Sequence, residues 1–232
     1  MLKLLRRVES RALVLVIAFA GALWAFFNIA SEVGEGETGA LDRHILLMLR
    51  NPANLSDPIG PRSFEEAMRD VTALGGVTVL SLVTLVAVAV FLIHKQRRHA
   101  LILAGTVLLA WASSEGAKVF YKVPRPNLVP HGAYVYSASF PSGHSTLSAA
   151  NYLTLAVLLA SLETERATKA LVVGLAFLLV VAIGASRVYL GVHWPSDVLA
   201  GWTLGAAWAL AAWSLLRRLR RIDKASAETP PA

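Results

Sequence analysis

Residues 186–216 read SRVYLGVHWPSDVLAGWTLGAAWALAAWSLL, a short polar segment that runs directly into a long apolar one. The apolar part, from Val198 to Leu216, approaches the ~20 residues that an α-helix needs to cross ~30 Å of hydrocarbon. Only a helix satisfies its own backbone hydrogen bonds in such surroundings. The stretch therefore predicts a membrane-spanning helix with charged residues at its beginning.

Five further apolar stretches precede this one. They run roughly over residues 12–30, 77–93, 100–120, 145–162 and 170–185. Composition agrees with a membrane protein, because 56% of the 232 residues are hydrophobic, 16% are charged and the mean hydropathy is +0.57, more apolar than a soluble domain of this size. We therefore predict an all-α, polytopic membrane protein with six transmembrane helices. The first stretch is longer than a signal-peptide core and is interpreted as an uncleaved anchor.

The distribution of charge predicts the orientation. Of the 22 Lys and Arg residues, 14 lie in the two tails and in the loops near 94–99 and 163–169, which share one side if the spans alternate. The positive-inside rule makes that side cytoplasmic, with both termini. The net charge of +7 comes largely from these clusters beside apolar runs, which argues against nucleic-acid binding. The absence of cysteine excludes disulfides and thiolate chemistry.

The longest predicted loop, residues 31–76, lies on the outer side. Helical spacing of apolar residues from Phe64 to Val71 indicates a short helix on the membrane surface. We interpret this loop as a connector in preference to a cap near the substrate entrance. It belongs to one six-helix transmembrane domain, residues 1–216, followed by a basic cytoplasmic tail, residues 217–232, in which residues 225–232 are expected to be disordered.

Three polar segments concentrate charge on the outer side, where charge beside an apolar span calls for a reason. The first runs from Lys118 to Pro126. Lys118 and Lys122 are four residues apart and are expected on one helical face, while Pro124 ends the helix and projects Arg125 into the loop. Taken alone, the two lysines are better interpreted as side chains that reach lipid headgroups.

The second segment, Pro141–His144, immediately precedes the fourth span. A Ser-Gly pair at a helix start presents free backbone N–H groups at the positive end of the helix dipole, an arrangement that binds anions. Gly143 allows an oxyanion to approach closely, and Ser142 adds a hydroxyl donor. An ordinary helix N-cap explains the serine equally well, but it leaves His144 unexplained.

The third segment joins the fifth and sixth spans and contains Ser186, Arg187, His193 and Asp197. Pro195 suits the first turn of a helix, which places Asp197 in that turn, facing back toward His193. A carboxylate bonded to one imidazole nitrogen fixes the tautomer and leaves the other nitrogen free to attack. Alone, the segment also fits a polar helix cap.

Together, the three segments bring to one membrane face a set of side chains suited to binding and transferring a tetrahedral anion. Lysine and arginine neutralise phosphate oxygens, and arginine supplies paired donors. One histidine attacks phosphorus while the other protonates the leaving oxygen. The residues therefore predict phosphoryl transfer. They do not decide which histidine attacks, although the neighbouring Asp197 favours His193.

The three motifs, Lys-x6-Arg-Pro, Pro-Ser-Gly-His and Ser-Arg-x5-His-x3-Asp, resemble in order and spacing those of the type 2 phosphatidate phosphatase (lipid phosphate phosphatase) superfamily, in its bacterial membrane-bound branch. They cover about 80 residues, and the six-span layout extends the resemblance to most of the chain. It implies that His193 is the nucleophile and forms a phosphohistidine, that Asp197 orients it, and that His144 is the general acid. It implies no metal and no cofactor. The phosphate-binding residues that it implies are Lys118, Arg125, Ser142, Gly143 and Arg187.

One acidic residue lies close to the first motif. Glu115 precedes Lys118 by three residues on the same helical face. We interpret it as a structural partner or a pKa-tuning group for Lys118 in preference to a direct catalytic role.

A pocket at the outer helix ends fits a substrate whose tail stays in the bilayer. The expected partners are the membrane and a lipid phosphate: undecaprenyl diphosphate, phosphatidylglycerol phosphate, phosphatidate or the phosphate of lipid A. Undecaprenyl diphosphate or a broad range of lipid phosphates is favoured, at the bacterial inner membrane with the active site facing the periplasm. Two alternatives stay open: a lipid phosphotransferase with the same site, and a non-catalytic transporter or lipid-binding protein. The sequence predicts no oligomeric state.

Overall fold

Helices occupy all six predicted apolar stretches in the computed structural model, which describes residues 2–131 and 137–228. They are α1 (Leu2–Glu35), α4 (Val77–Ile93), α5 (Arg97–Tyr121), α6 (Gly143–Ser148) continued by a π-helical turn (Ala149–Leu153) and α7 (Thr154–Leu162), α8 (Arg166–Tyr189) and α9 (Pro195–Glu228). Among the described residues, five helical units are long and apolar enough to cross a bilayer. The 17-residue α4 makes a sixth only together with α3 (Arg62–Ala73), from which it is bent by 48°.

The outside of the bundle is apolar. Ile93, Leu101 and Phe120, on α4 and α5, are each more than 70% exposed. Such a surface is unfavourable in water but is suited to lipid tails. The structure is therefore a helical bundle built for a membrane, as the sequence predicts.

Helix α9 packs against α1, α5, α6 and α8. Two glycines on α9 make the contact with α6 possible. A Cβ atom at Gly201 would lie 2.8 Å from the carbonyl oxygen of Ser142, and one at Gly205 would lie 2.4 Å from that of Thr146. Small residues let membrane helices approach closely in this way. The close contact sets the start of α6 beside the start of α9, and these two helix starts carry the second and third motifs.

The outer segment, residues 39–73, has more structure than the sequence predicts. It contains α2 (Gly39–Met48), an antiparallel hairpin of β1 (Arg50–Asn51) and β2 (Asn54–Pro58), and α3. Helix α3 spans the predicted surface helix, whereas α2 and the hairpin were not expected.

Two helix ends differ from the sequence prediction. Helix α5 ends at Tyr121, and Lys122 has a left-handed φ of 50° that terminates it. The prediction that Lys122 shares a helical face with Lys118 is therefore wrong, and Pro124 lies beyond the helix end. At the other terminus, α9 continues through the predicted tail as far as Glu228. Disorder was expected over residues 225–232, and this is wrong for residues 225–228, which continue the helix; residues 229–232 lie outside the described residues.

Candidate active site

His193 and Asp197 lie at the junction of α8 and α9, and both side chains are buried. Helix α9 begins at Pro195, so Asp197 stands in its first turn, where its Oδ2 accepts the backbone N–H of Trp194 at 2.9 Å. The same oxygen lies 3.3 Å from Nδ1 of His193. A carboxylate accepts a hydrogen bond from Nδ1–H, so Nε2 is the ring nitrogen that carries the lone pair. The structure thus places these two residues as the sequence predicts.

Ser139 joins this pair, although no motif contains it. Its fully buried hydroxyl donates to Oδ2 of Asp197 and lies 3.3 Å from Nδ1 of His193. Because the hydroxyl is bonded to the carboxylate, it helps to fix the orientation that Asp197 imposes on His193. The sequence carries no local signal for this contact, since 58 residues separate the two partners.

Arg125 lies at the opposite edge of the His193 ring, beside Nε2. Its Nη1 is 3.0 Å from Nε2 of His193 and donates to the carbonyl oxygen of Val192 at 2.6 Å, while its Nε donates to the carbonyl oxygen of Ser137 at 2.8 Å. Burial lowers the pKa of Arg125 from its ordinary value, and the charge of Asp197 opposes that shift. Arginine nevertheless stays protonated in proteins. Because arginine can only donate, Nη1 donates to Nε2 of His193, and the guanidinium is thus a fixed cation directed at the lone pair of that nitrogen.

The surroundings also keep His193 neutral. Burial, followed by the positive charges of Arg125, Arg187 and Lys118, holds the pKa of His193 well below its ordinary value of 6.5. An imidazole with a lowered pKa retains its lone pair at neutral pH, as a nucleophile requires.

Lys118 approaches the second motif from α5. Its ammonium forms an ion pair with Oε1 of Glu115 at 2.6 Å, so the two residues are in direct contact. A Cβ atom at Gly143 would lie only 3.1 Å from Nζ of Lys118. The lack of a side chain at Gly143 therefore lets the lysine charge lie against the backbone of the Pro-Ser-Gly-His turn.

The start of α6 has the form of an anion site. Ser142 is its N-cap: its hydroxyl oxygen accepts the N–H of Ser145 at 3.4 Å and the hydroxyl of Ser145 at 3.1 Å. Accepting both leaves the proton of Ser142 available to a ligand. The N–H of Ser142 donates to the carbonyl oxygen of Asp197 at 3.0 Å, which ties α6 to α9. In the described part of the chain, the N–H groups of Gly143 and His144 meet no acceptor, so they remain free for an anion.

His144 lies on the first turn of α6, beside the Gly75–Gly76 turn that precedes α4. A Cβ atom at Gly75 would lie 3.3 Å from Cδ2 of His144, and one at Gly76 would lie 4.0 Å from its Nε2. His144 also interacts electrostatically with its neighbours in the other two motifs, including Arg187 and His193. The structure therefore brings both histidines to one site, with two glycines making room for the second.

Arg187 is buried near the end of α8. Its Nη1 donates to the hydroxyl of Thr72, at the end of α3, at 2.9 Å. Its Nε has no partner among the described residues, which leaves it a donor for a ligand. Thr72 is another contact that the motifs do not reveal.

Two more residues of the outer segment reach the third motif. Asp42 accepts the backbone N–H and the hydroxyl of Ser196, and Arg50 donates to the carbonyl oxygen of Tyr189 at 2.7 Å. Both side chains are buried. The sequence was interpreted as a connector here. In the structure, the outer segment also packs directly against the segment that carries His193.

All the residues predicted for the site converge where α5 and α8 end and α6 and α9 begin. The arrangement can bind a tetrahedral anion among three cationic side chains and free N–H groups, next to one oriented, neutral imidazole. A second imidazole, that of His144, interacts electrostatically with the first. Such an arrangement suits phosphoryl transfer, in which fixed positive groups stabilise the transferred phosphoryl group.

The sequence profile of the PAP2 superfamily matches residues 99–221, just over half of the chain. The chain belongs to the PAP2 superfamily. The match begins before Lys118 and ends after Asp197, so it contains all three motifs. The outer segment lies outside the matched range.

Two characterised relatives are similar in sequence. Phosphatidylglycerophosphatase B of Bacillus subtilis (strain 168) is 35% identical over 60% of this chain and 69% of its own length. Undecaprenyl-diphosphatase of Sulfolobus acidocaldarius is 32% identical over 51% of this chain and 56% of its own length. The PAP2 chain is accordingly a phosphatase.

Two crystal structures are similar in fold. A transmembrane PAP2-type phosphatidylglycerolphosphate phosphatase from Bacillus subtilis matches with a TM-score of 0.77 at 25% identity, over 88% of this chain and 98% of that one. LpxE from Aquifex aeolicus matches with a TM-score of 0.56 at 23% identity, over 74% of this chain and 94% of that one, which concerns the fold alone. The PAP2 chain is thus a multi-pass membrane protein.

The contact of Ser139 with Asp197 is testable. We expect Ser139→Ala to lower kcat about tenfold with little change in KM, because a hydrogen bond to a charged group contributes about 1.5–3 kcal/mol and part of its loss appears in the transition state. Phosphate release from a lipid phosphate in detergent measures this. Ser137→Ala is the control, since that hydroxyl makes only contacts of 3.5 Å. Equal kcat values in the two variants would contradict a role for Ser139.

Proposed function

We propose that this PAP2 protein hydrolyses a phosphomonoester or diphosphate of a membrane lipid, without a metal, through a phosphohistidine at His193. The observation that carries the proposal is the state of His193: buried, oriented by Asp197 through Nδ1, and presenting Nε2 to the guanidinium of Arg125. A nucleophile in this form is held beside the cation that binds the group it attacks.

The first step forms a bond from Nε2 of His193 to phosphorus while the bond from phosphorus to the leaving oxygen breaks. His144 gives its proton to that oxygen. Lys118, Arg125 and Arg187 bind the equatorial oxygens, and the hydroxyl of Ser142 and the N–H of Gly143 add neutral donors. The phosphate brings negative charge into a pocket of cations, which offsets the cost of burying them together.

The second step releases the phosphate. His144, now neutral, takes a proton from water as the oxygen of that water attacks the phosphohistidine. The bond from phosphorus to Nε2 breaks, and inorganic phosphate leaves. Asp197 stabilises His193 in both steps, because its carboxylate accepts a hydrogen bond from Nδ1–H.

The site lies at the end of the bundle opposite the segments near residues 94–99 and 163–169, where basic residues cluster. By the positive-inside rule, we place both termini in the cytoplasm and the active site on the periplasmic side of a bacterial inner membrane. A substrate there keeps its tail in the lipid and lowers its headgroup into the pocket.

Phosphatidylglycerol phosphate and undecaprenyl diphosphate are the substrates that we propose first. The relatives described above are named for one or the other, and the phosphatidylglycerophosphatase has the higher identity and coverage. The sequence favours undecaprenyl diphosphate or a broad range of lipid phosphates. A monophosphate and a diphosphate present the same terminal phosphate to His193, so their relative rates depend on the rest of the headgroup.

A panel of lipid phosphates in detergent tests the reaction. We expect the wild-type protein to release inorganic phosphate from at least one of the two lipids, and His193→Ala to lower kcat by at least about 10³-fold, the order of loss typical when a nucleophile is removed. His94→Ala, at the opposite end of the bundle, is the control. Near-normal turnover by His193→Ala would contradict the assignment, and phosphate recovered in a second lipid in place of free phosphate would indicate a phosphotransferase.

The pH profile tests the charge state of His193. Since burial and three cations lower the pKa of His193 below 6.5, the neutral nucleophile persists into mildly acidic solution and is lost only as the pH falls through that lowered pKa. The acid limb of kcat/KM should therefore lie below pH 6.5. Removing one cation by Arg125→Gln should move the limb to higher pH as well as weaken substrate binding. An acid limb at or above pH 6.5 in the wild-type protein would contradict this electrostatic account.

A further inference from the structure

We propose that Asp42 is a positioning residue for His193, which it holds in place from the outer segment by binding Ser196 at the start of α9. This inference deepens the proposed function and rests on it. Asp42 lies in α2, 154 residues before its partner and outside the part of the chain that the family profile matches. No motif of the catalytic site includes it.

The contact is close and buried. Oδ1 of Asp42 accepts the backbone N–H of Ser196 at 2.8 Å, and Oδ2 accepts the hydroxyl of Ser196 at 2.6 Å. Each side chain is 5% exposed. A buried carboxylate is costly unless its oxygens are bonded, and in this case both oxygens are bonded to one residue. The two hydrogen bonds therefore fix both the backbone N–H and the side chain of Ser196.

The contact matters because Ser196 lies at the start of α9. Pro195 begins α9 and has no N–H, so the N–H of Ser196 is the first that the helix presents. A carboxylate at this point lies at the positive end of a 34-residue helix, where a negative charge is stabilised. Asp42 thus acts as a cap for α9 that is supplied by a distant part of the chain.

The same helical turn carries Asp197, which follows Ser196 directly. Asp197 is bonded to His193 at 3.3 Å, near the upper limit for a hydrogen bond. A small rotation of the first turn would break this contact and leave the imidazole held only by Ser139 and Arg125. Because both oxygens of Asp42 are occupied by Ser196, Asp42 itself meets no substrate and acts on His193 only through the helix start.

Two neighbouring contacts support the same function for the outer segment. Arg50, which is buried, donates to the carbonyl oxygen of Tyr189 at the end of α8. A Cβ atom at Gly191 would lie 2.9 Å from Nη2 of Arg50, so the arginine lies directly against the loop that leads to His193. Thr72 accepts a hydrogen bond from Arg187. The segment that carries the nucleophile is thus held from outside on both sides of His193.

Kinetics of substitutions at Asp42 provide the first test, with the lipid phosphate that the wild-type protein hydrolyses as substrate. We expect Asp42→Ala to lower kcat about 10- to 100-fold while KM stays within about twofold, because the phosphate-binding residues are untouched. Asp42→Asn keeps one acceptor oxygen for the N–H of Ser196 and should retain more activity than Asp42→Ala. Asp70→Ala removes an exposed aspartate of the same outer segment and should change neither constant. A kcat for Asp42→Ala within twofold of wild type, or an equal loss in Asp70→Ala, would overturn the proposal.

A double-mutant comparison separates positioning from a general loss of folding. If Asp42 acts through Ser196, adding Ser196→Ala to Asp42→Ala should cause little further loss of kcat. Fully additive losses would overturn the proposal, as would a rise in KM that parallels the fall in kcat.

A spectroscopic measurement does not depend on activity. In ¹⁵N-histidine-labelled protein, we expect a His193 signal, assigned by its absence in His193→Ala, with the proton on Nδ1. Asp42→Ala should broaden or shift that signal toward a mixture of tautomers, while Asp70→Ala should not. An unchanged His193 signal in folded Asp42→Ala would overturn the proposal. If the wild-type protein hydrolyses no lipid phosphate, the proposed function fails, and this spectrum alone decides whether Asp42 positions His193.

Discussion

The hydrogen bond between His193 and Asp197 is the interaction on which the site depends. Its two residues are only four apart in sequence, but the bond forms because α9 starts at Pro195 and places the carboxylate in its first turn. Three neighbouring contacts fix that helix start from different directions. Ser139 holds the carboxylate, Ser142 binds the carbonyl oxygen of the same residue, and Gly201 lets α6 lie against α9.

Electrostatics explain why these residues are gathered at one end of a membrane bundle. Three cationic side chains surround a buried, neutral imidazole, and the described residues provide just one close carboxylate partner for them, Glu115 on Lys118. Cations placed together in a buried site are costly until an anion joins them. A phosphate group provides that charge and is then already beside the nucleophile. Binding and activation are therefore two results of one arrangement.

The sequence predicts the features that arise over short distances along the chain. The spans follow from apolar runs, and the contact of His193 with Asp197 follows from a spacing of four residues and a proline. The same local reasoning failed at Lys122, whose left-handed backbone ends α5 at Tyr121, before the helix reaches Pro124. Contacts between distant segments left no such pattern. Ser139 meets Asp197 across 58 residues and Asp42 meets Ser196 across 154, so only the folded chain reveals them.

The central claim, that Nε2 of His193 becomes covalently bonded to phosphorus, is tested most directly by trapping the phosphoenzyme. Wild-type protein is mixed with ³²P-labelled lipid phosphate and quenched in alkali within the first turnover, and the labelled peptide is identified by mass spectrometry. We expect one labelled peptide, containing His193, whose phosphate is stable in alkali and lost in acid, as a phosphoramidate is. Label on any other residue, or hydrolysis with no trapped label under conditions where the second step is limiting, would contradict it.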